Sequence, residues 1–149
     1  MATLSWGKPT VEIIAFIAGV QQTTPWVALP EIKQDTAKLT TTKGNKVDAL
    51  GEGGEIIDTR TDKNKYTFEC EVFMQRGASK PIPDTDGIVA ENYSIRLTPE
   101  DVTLEGWKID KAAVTVEESW TSKDGTMLKY TFEGLKPATG NMLKPYTQA

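Results

Sequence analysis

Apolar and polar residues alternate most clearly over residues 65–74, whose sequence is KYTFECEVFM. Every second residue there is apolar, and the residues between are mostly lysine, threonine and glutamate. Because successive side chains of a strand point to opposite faces, this pattern predicts a strand with one face in the core and the other in water. Cys70 falls on the apolar face, so we expect a buried, unreactive thiol.

Further strands are predicted where apolar runs lie between turn residues. Residues 11–18 are apolar on both faces apart from Glu12, as in a strand that is covered on each side. Residues 26–29 lie between two prolines and can form only an edge piece, because proline lacks a ladder donor. Residues 37–42 and 93–98 complete the set. The twenty threonines of the chain also favour strands, since β-branched side chains fit them well.

These segments predict a mainly β fold, an antiparallel β-sandwich or partly closed barrel, in a single domain over residues 1–149. At most one short helix is expected. It would be a turn over residues 99–104, with Thr98 as its cap and Pro99 at the first helical position.

A hairpin is predicted in the last third of the chain, around the pair Asp-Gly that ends at Gly125. A two-residue turn would place Trp120 opposite a lysine, which is a poor match. A three-residue loop with Gly125 in the left-handed conformation places Trp120 opposite Leu128 and Val116 opposite Phe132. Burial favours this second register, so the sequence predicts these two pairs.

Residues 43–64 (KGNKVDALGEGGEIIDTRTDKN) form a long segment with four glycines and nearly balanced charge. Ordinary connections have a median of about 4–6 residues, so a segment of this length is expected to be a functional loop, a mobile segment or a protruding hairpin. It holds more spaced aliphatic residues than a pure linker needs. These residues are Val47, Leu50, Ile56 and Ile57.

Composition argues against several classes of function. The chain has no histidine, which is the commonest general base and transition-metal ligand, and its one cysteine cannot form an internal disulfide or a zinc cage. We therefore expect neither an enzyme nor a cofactor. A net charge of −4 argues against a duplex-binding module. The apolar run at residues 13–20 is far shorter than the roughly 20 residues that cross a bilayer, so no membrane association is expected.

Several short motifs can be interpreted either as binding or catalytic sites or as ordinary structural features. Residues 84–87 (DTDG) resemble the start of a calcium loop but lack its later ligands, and residues 51–54 (GEGG) lack the Gly-Lys-Ser/Thr of a phosphate loop, so both are predicted to be turns. Glu69 and Glu71 share a strand face on which both are ionised, which indicates a soluble surface or a wall that repels anionic polymers. The four tryptophans favour core or interface positions over a sugar-stacking platform.

The layout TTKGNKVDALGEGGEIID, then KYTFECEVF, then the late hairpin AVTVEESWTSKDGTMLKYTFEGLKP and a short polar tail resembles the major tail tube proteins of tailed bacteriophages. The likeness covers roughly residues 37–145. That family usually packs a helix against its β-sandwich, and the matching place in this chain is residues 76–92.

This resemblance implies a structural subunit that forms rings, hexameric in that family, which stack into a hollow tube for the passage of DNA. The implied partners are other copies of the chain and other tail proteins, with DNA only as passing cargo. The implied location is the virion, after assembly in the bacterial cytoplasm. A lumen should repel phosphates, so its candidate residues are Glu69, Glu71 and Glu117. The candidate residues of an arm that contacts a neighbouring subunit are Val47, Leu50, Glu52, Ile56 and Ile57.

A second reading of the sequence belongs to another class. A β-sandwich adhesion or carbohydrate-binding module would account for the tryptophans and for the Asp-rich loop at residues 84–87. A further alternative is another structural part of a virus or cell envelope. The size of the protein in solution separates these hypotheses, because a tube subunit assembles whereas a binding module acts as a monomer on immobilised glycans.

Overall fold

The computed structural model of the protein describes Leu4, residues 6–74 and residues 80–147. Within these residues the chain is all β, as predicted, and contains no helix. Residues 101–104 form a turn in which the Leu104 N–H donates to the Asp101 carbonyl, so the short helix expected there does not form. Residues 80–92 also lack a helix. The rest of the segment in which the family would have one, residues 76–79, lies outside the described residues.

The strands are β1 (Thr10–Ala15), β2 (Val27–Ala28), β3 (Lys38–Thr42), β4 (Lys46–Leu50), β5 (Ile56–Thr61), β6 (Lys65–Phe73), β7 (Tyr93–Thr98), β8 (Gly106–Thr121), β9 (Gly125–Gly134) and β10 (Lys144–Tyr146). Eight of them form one antiparallel sheet in the order β2-β1-β7-β8-β9-β6-β3, with β10 paired to the start of β8. Strands β4 and β5 form a separate two-stranded sheet.

The main sheet curls round so that its two ends are joined by the chain between β2 and β3. The Leu29 N–H donates to the Val11 carbonyl of β1, and the Lys33 N–H donates to the Glu71 carbonyl of β6. One extended segment thus bonds to β1 at its start and to β6 at its end. The result is a sandwich-like fold that is partly closed, and β2 is the short edge piece that its flanking prolines predicted.

Strand β6 has the alternation that the sequence predicted. Phe68, Cys70 and Val72 are at most 1% exposed and face the core, whereas Glu69 and Glu71 are half-buried on the other face. Burial raises the pKa of the Cys70 thiol to about 12, so the reactive thiolate does not form near neutral pH. The expected burial of this cysteine is confirmed.

A bulge in β8 was not visible in the sequence pattern. Ile109 and Ala112 are both fully buried although they are three residues apart, and the register against β7 shifts between Tyr93 and Ile95. An extra residue in one strand moves the side chains that follow it to the other face. The bulge therefore lets both halves of the 16-residue strand β8 face the same core.

The hairpin of β8 and β9 has the predicted left-handed Gly125, whose φ is 74°. Its predicted pairs are wrong by two residues: Trp120 lies opposite Thr126, and Val116 lies opposite Tyr130. The three loop residues are 122–124, because Thr121 already pairs with Gly125. A shift by two residues leaves every side chain on its face, so burial alone could not distinguish the two registers.

Candidate assembly surfaces

The long segment at residues 43–64 contains the hairpin of β4 and β5, which is one of the alternatives that the sequence left open. Its register continues that of the main sheet. Thr42 of β3 pairs with Lys65 of β6, and four residues further out Lys46 pairs with Thr61. Strands β3 and β4 on one side and β5 and β6 on the other thus form a single long ribbon. We call its outer part, residues 43–64, the arm.

The place where the arm leaves the main sheet depends on Gly44, whose role is not evident from the sequence pattern. A Cβ atom on Gly44 would lie 2.0 Å from the carbonyl oxygen of Asp62, so only glycine lets the two sides of the ribbon approach this closely. The Gly44 N–H donates to the Asn64 side chain at 3.2 Å, and the Asp62 N–H donates to the Asn45 carbonyl at 2.8 Å. These bonds carry the pairing across the point where the ribbon leaves the sheet.

The aliphatic residues of the arm are exposed to solvent. The exposed fraction is 60% for Val47, 62% for Leu50, 58% for Ile56 and 70% for Ile57. Leu50 and Ile56 face each other across the ribbon, and Ile57 lies at the bulge beside them. Glu52 is exposed in the turn that follows Leu50. The five arm candidates thus lie on one hairpin, with Leu50, Glu52, Ile56 and Ile57 at its outer end and Val47 nearer the main sheet.

The apolar residues of the arm do not pack against the rest of the described chain. Among the described elements, β4 and β5 contact only each other, and the described core cluster contains no arm residue. Burial of a leucine or isoleucine side chain stabilises a protein by roughly 1.5–3 kcal/mol. A hairpin with four such side chains in water is unfavourable for an isolated molecule and indicates a contact surface.

The three lumen candidates lie on one face of the main sheet, opposite the core. Glu69 and Glu71 are on β6 and Glu117 is on β8, and β9 between these strands places Lys129 directly opposite both Glu71 and Glu117. On the other side of β6, Lys38 of β3 lies opposite Glu69. The structure therefore brings the three candidates together, but with lysines beside them.

This sheet face is mixed in charge and is not purely acidic. Lys38 and Lys129 come from strands distant in sequence, and only the pairing of β3 and β9 with β6 reveals them. Over β3, β6, β9 and the part of β8 that pairs with β9, residues 112–121, acidic residues of this face exceed basic ones by one. These charged residues are Lys38, Lys65, Glu69, Glu71, Lys129, Glu133 and Glu117.

The two motifs that the sequence predicted to be turns are turns. In the first, Asp86 and Gly87 have φ values of 50° and 87°, and the Asp84 carboxylate accepts from the Gly87 N–H at 2.9 Å. That N–H and the ammonium of Lys80 lower the pKa of Asp84. In the second, the Gly54 N–H donates to the Gly51 carbonyl and closes the tip of the arm. The described residues contain no cluster of three potential metal ligands.

The tryptophans do not form one platform. Trp26 stacks on Arg96, whose Cζ lies 4.1 Å from the ring centroid, and Trp120 is exposed near the loop of the β8–β9 hairpin. Trp6 and Trp107 line a cleft of about 1070 Å³ at one end of the sheet, together with Phe68 and other apolar residues. Two of the four thus share a concave surface, and the other two lie elsewhere.

None of the described residues belongs to a helix that would be long and apolar enough to cross a membrane. No protein-family model matches the chain, and no curated protein matches it.

Proposed function

We propose that this protein is a structural subunit whose copies assemble into rings, and that the rings stack into a hollow tube, as in the phage tail tube proteins that its sequence resembles. The observation that carries the proposal is the arm. Its four aliphatic side chains are 58–70% exposed and contact no other described element of the chain. Exposed aliphatic side chains of this kind are stabilised when a second subunit covers them.

The strand at one edge of the main sheet supports the same proposal. Within the described residues, β3 bonds to β6 on one side and to no strand on the other. A free edge presents unpaired N–H and C=O groups that a neighbouring strand can bond, and monomeric proteins usually protect such edges. A ring of identical subunits satisfies these groups through heterologous contacts that close on themselves.

The tube proposal places the face with Glu69, Glu71 and Glu117 toward the lumen. Threonines and paired opposite charges give the part of this face around the three glutamates few groups that hold phosphate strongly, and its single excess negative charge favours repulsion of DNA. Such a surface lets DNA pass without sequence preference.

The arm is tested by placing a charge among its apolar residues. We expect the double variant Leu50→Asp, Ile56→Asp to fold normally and to need about 100-fold more protein for assembly, because each change removes an apolar contact between subunits. Sedimentation velocity and negative-stain electron microscopy measure assembly, and thermal unfolding measures stability. Val102→Asp is the matched control, since Val102 is 48% exposed and lies outside the arm.

Two results would count against these ideas. An arm variant that assembles at the wild-type concentration would show that the arm is not the contact surface. A wild-type chain that sediments as a 16.4 kDa monomer at every attainable concentration would contradict the proposed function itself.

The lumen assignment has a separate test on assembled protein. We expect tubes of the variant Glu69→Lys, Glu71→Lys to retain DNA in a co-sedimentation assay at low salt, whereas wild-type tubes leave it in solution, because added lysines hold phosphates. The control is the variant Glu91→Lys, Glu105→Lys, which makes the same change in net charge at exposed residues outside this face. Equal DNA retention by both variants would contradict the assignment of this face to the lumen.

A second candidate function is a carbohydrate-binding or adhesion module. The observation that favours it is the cleft of about 1070 Å³ with Trp6 and Trp107 in its lining, since aromatic rings stack on sugars. Binding of the monomer to immobilised glycans, lost in Trp6→Ala, would support this candidate. A protein that assembles and binds no glycan would exclude it.

A further inference from the structure

The arm carries charge of opposite sign at its two ends. Its tip, residues 50–58, contains three acidic residues and no basic one. Its root, residues 43–46 and 60–64 together with the adjoining Lys65 of β6, contains five basic residues and one acidic residue. All of these charged side chains belong to exposed residues. The tip acids are Glu52, Glu55 and Asp58, and the root residues are Lys43, Lys46, Arg60, Lys63, Lys65 and Asp62.

The two ends of one arm do not neutralise each other. The ion pairs within the arm join residues two positions apart. Lys46 Nζ lies 3.8 Å from Asp48 Oδ1, and Arg60 Nη2 lies 3.3 Å from Asp62 Oδ1. From Asn45 at the root to Glu52 at the tip the ribbon extends about 24 Å at ordinary strand spacing. The screening length at physiological salt is about 8 Å, so attraction between the outermost acids, Glu52 and Glu55, and the root lysines of the same arm is negligible, although Asp58 lies only two residues from Arg60.

The root also borders the free edge of the sheet. Strand β3 runs directly into the root, and residues 40–42 at its outer end are exposed threonines. Backbone groups on the unpaired side of β3 are available to an extended segment that lies alongside. A segment that docks there meets both the lysines of the root and the bonding groups of β3.

We propose that the tip of one subunit's arm docks on the root of the next subunit's arm, beside β3. The acidic, aliphatic tip of one copy and the basic root with its free strand edge in the next are complementary, and the partner is a second copy of this chain. Because tip and root are different surfaces, the contact is heterologous and repeats around a ring. This inference rests on the proposed self-assembly and specifies its contact.

Charge reversal tests the contact on the full chain. We expect E52K/E55K/D58K at the tip, or K43E/K63E/K65E at the root, to raise the protein concentration needed for assembly about 100-fold, because like charges then face each other. A 1:1 mixture of the two variants should assemble again, since each reversed end then meets an end of opposite charge. Wild-type assembly should weaken as salt rises.

The control is E91K/E105K, which reverses exposed charges outside the arm and should assemble like the wild type. Normal assembly of either reversed variant alone would overturn the inference and mean that something other than this tip occupies the root. So would a mixture that stays monomeric although each variant is folded by circular dichroism. Neither result contradicts the proposed function as long as the wild type assembles. A wild type that stays monomeric would contradict both the proposed function and this inference.

Discussion

Replacing Phe68 by alanine is expected to lower the free energy of unfolding by about 3–5 kcal/mol, which is a large part of the stability of a domain this size. Phe68 is 1% exposed and lies at the middle of β6. Its ring packs edge-on against Trp107, with centroids 5.0 Å apart, and against Phe132 at 6.1 Å. The substitution removes apolar burial and leaves a cavity between strands that cannot move together.

Urea denaturation followed by circular dichroism measures this effect. Trp120→Ala is the control, because Trp120 is also an aromatic residue of the main sheet but is 70% exposed, and its removal should change stability by no more than about 0.5 kcal/mol. Similar losses for both variants would show that Phe68 is not at the centre of the core. Because β6 continues into the arm, a weakened β6 should also raise the concentration needed for assembly.

Replacing Arg96 by alanine is expected to lower the free energy of unfolding by about 2–4 kcal/mol, because it removes charge-assisted hydrogen bonds and cation–π contacts. Arg96 donates from Nε and Nη2 to the two carboxylate oxygens of Glu12 at 3.1 and 3.2 Å. Its guanidinium also lies 4.1 Å from the ring centroid of Trp26 and 5.0 Å from that of Tyr146. Charge-assisted hydrogen bonds contribute about 1.5–3 kcal/mol, and each cation–π contact adds about 0.5–1 kcal/mol.

The bidentate pair of Arg96 with Glu12 provides a control variant for this prediction, Arg96→Lys. Arg96→Lys keeps the positive charge but loses the paired hydrogen bonds and the stacking, so it should recover only part of the stability. In a double-mutant cycle with Glu12→Ala, the combined loss should be smaller than the sum of the single losses, because both changes remove the same pair. Additive losses, or full recovery by lysine, would contradict the coupling that we infer.

The cluster around Arg96 also illustrates what the sequence did not reveal. Its four members come from β1, from the stretch before β2, from β7 and from β10, and no local pattern links them. Pairing of β1 with β7 places Glu12 opposite Arg96. The aromatic rings approach the same side chain from two further segments, so the cluster exists only once the sheet has formed.

Some features of the candidate surfaces could likewise be predicted from the sequence, whereas others depend on the tertiary structure. The sequence placed the aliphatic residues of the arm within one segment and put Glu69 and Glu71 on one strand face, since both follow from local spacing. It did not place Lys38 and Lys129 beside those glutamates, because neighbouring strands supply them. It also missed Gly44, whose close contact with Asp62 spans the two sides of the ribbon.

By itself, the sequence determined the β character of the chain, the buried face of β6 with Cys70, the left-handed Gly125 and the extent of the arm segment. Each of these depends on the alternation of side chains or on the backbone preferences of a few adjacent residues. Tertiary structure alone decided the register of the β8–β9 hairpin, the bulge in β8 and the closure through residues 27–33. Several pairings satisfy the same local pattern, and only the packing of distant strands around one core selects among them.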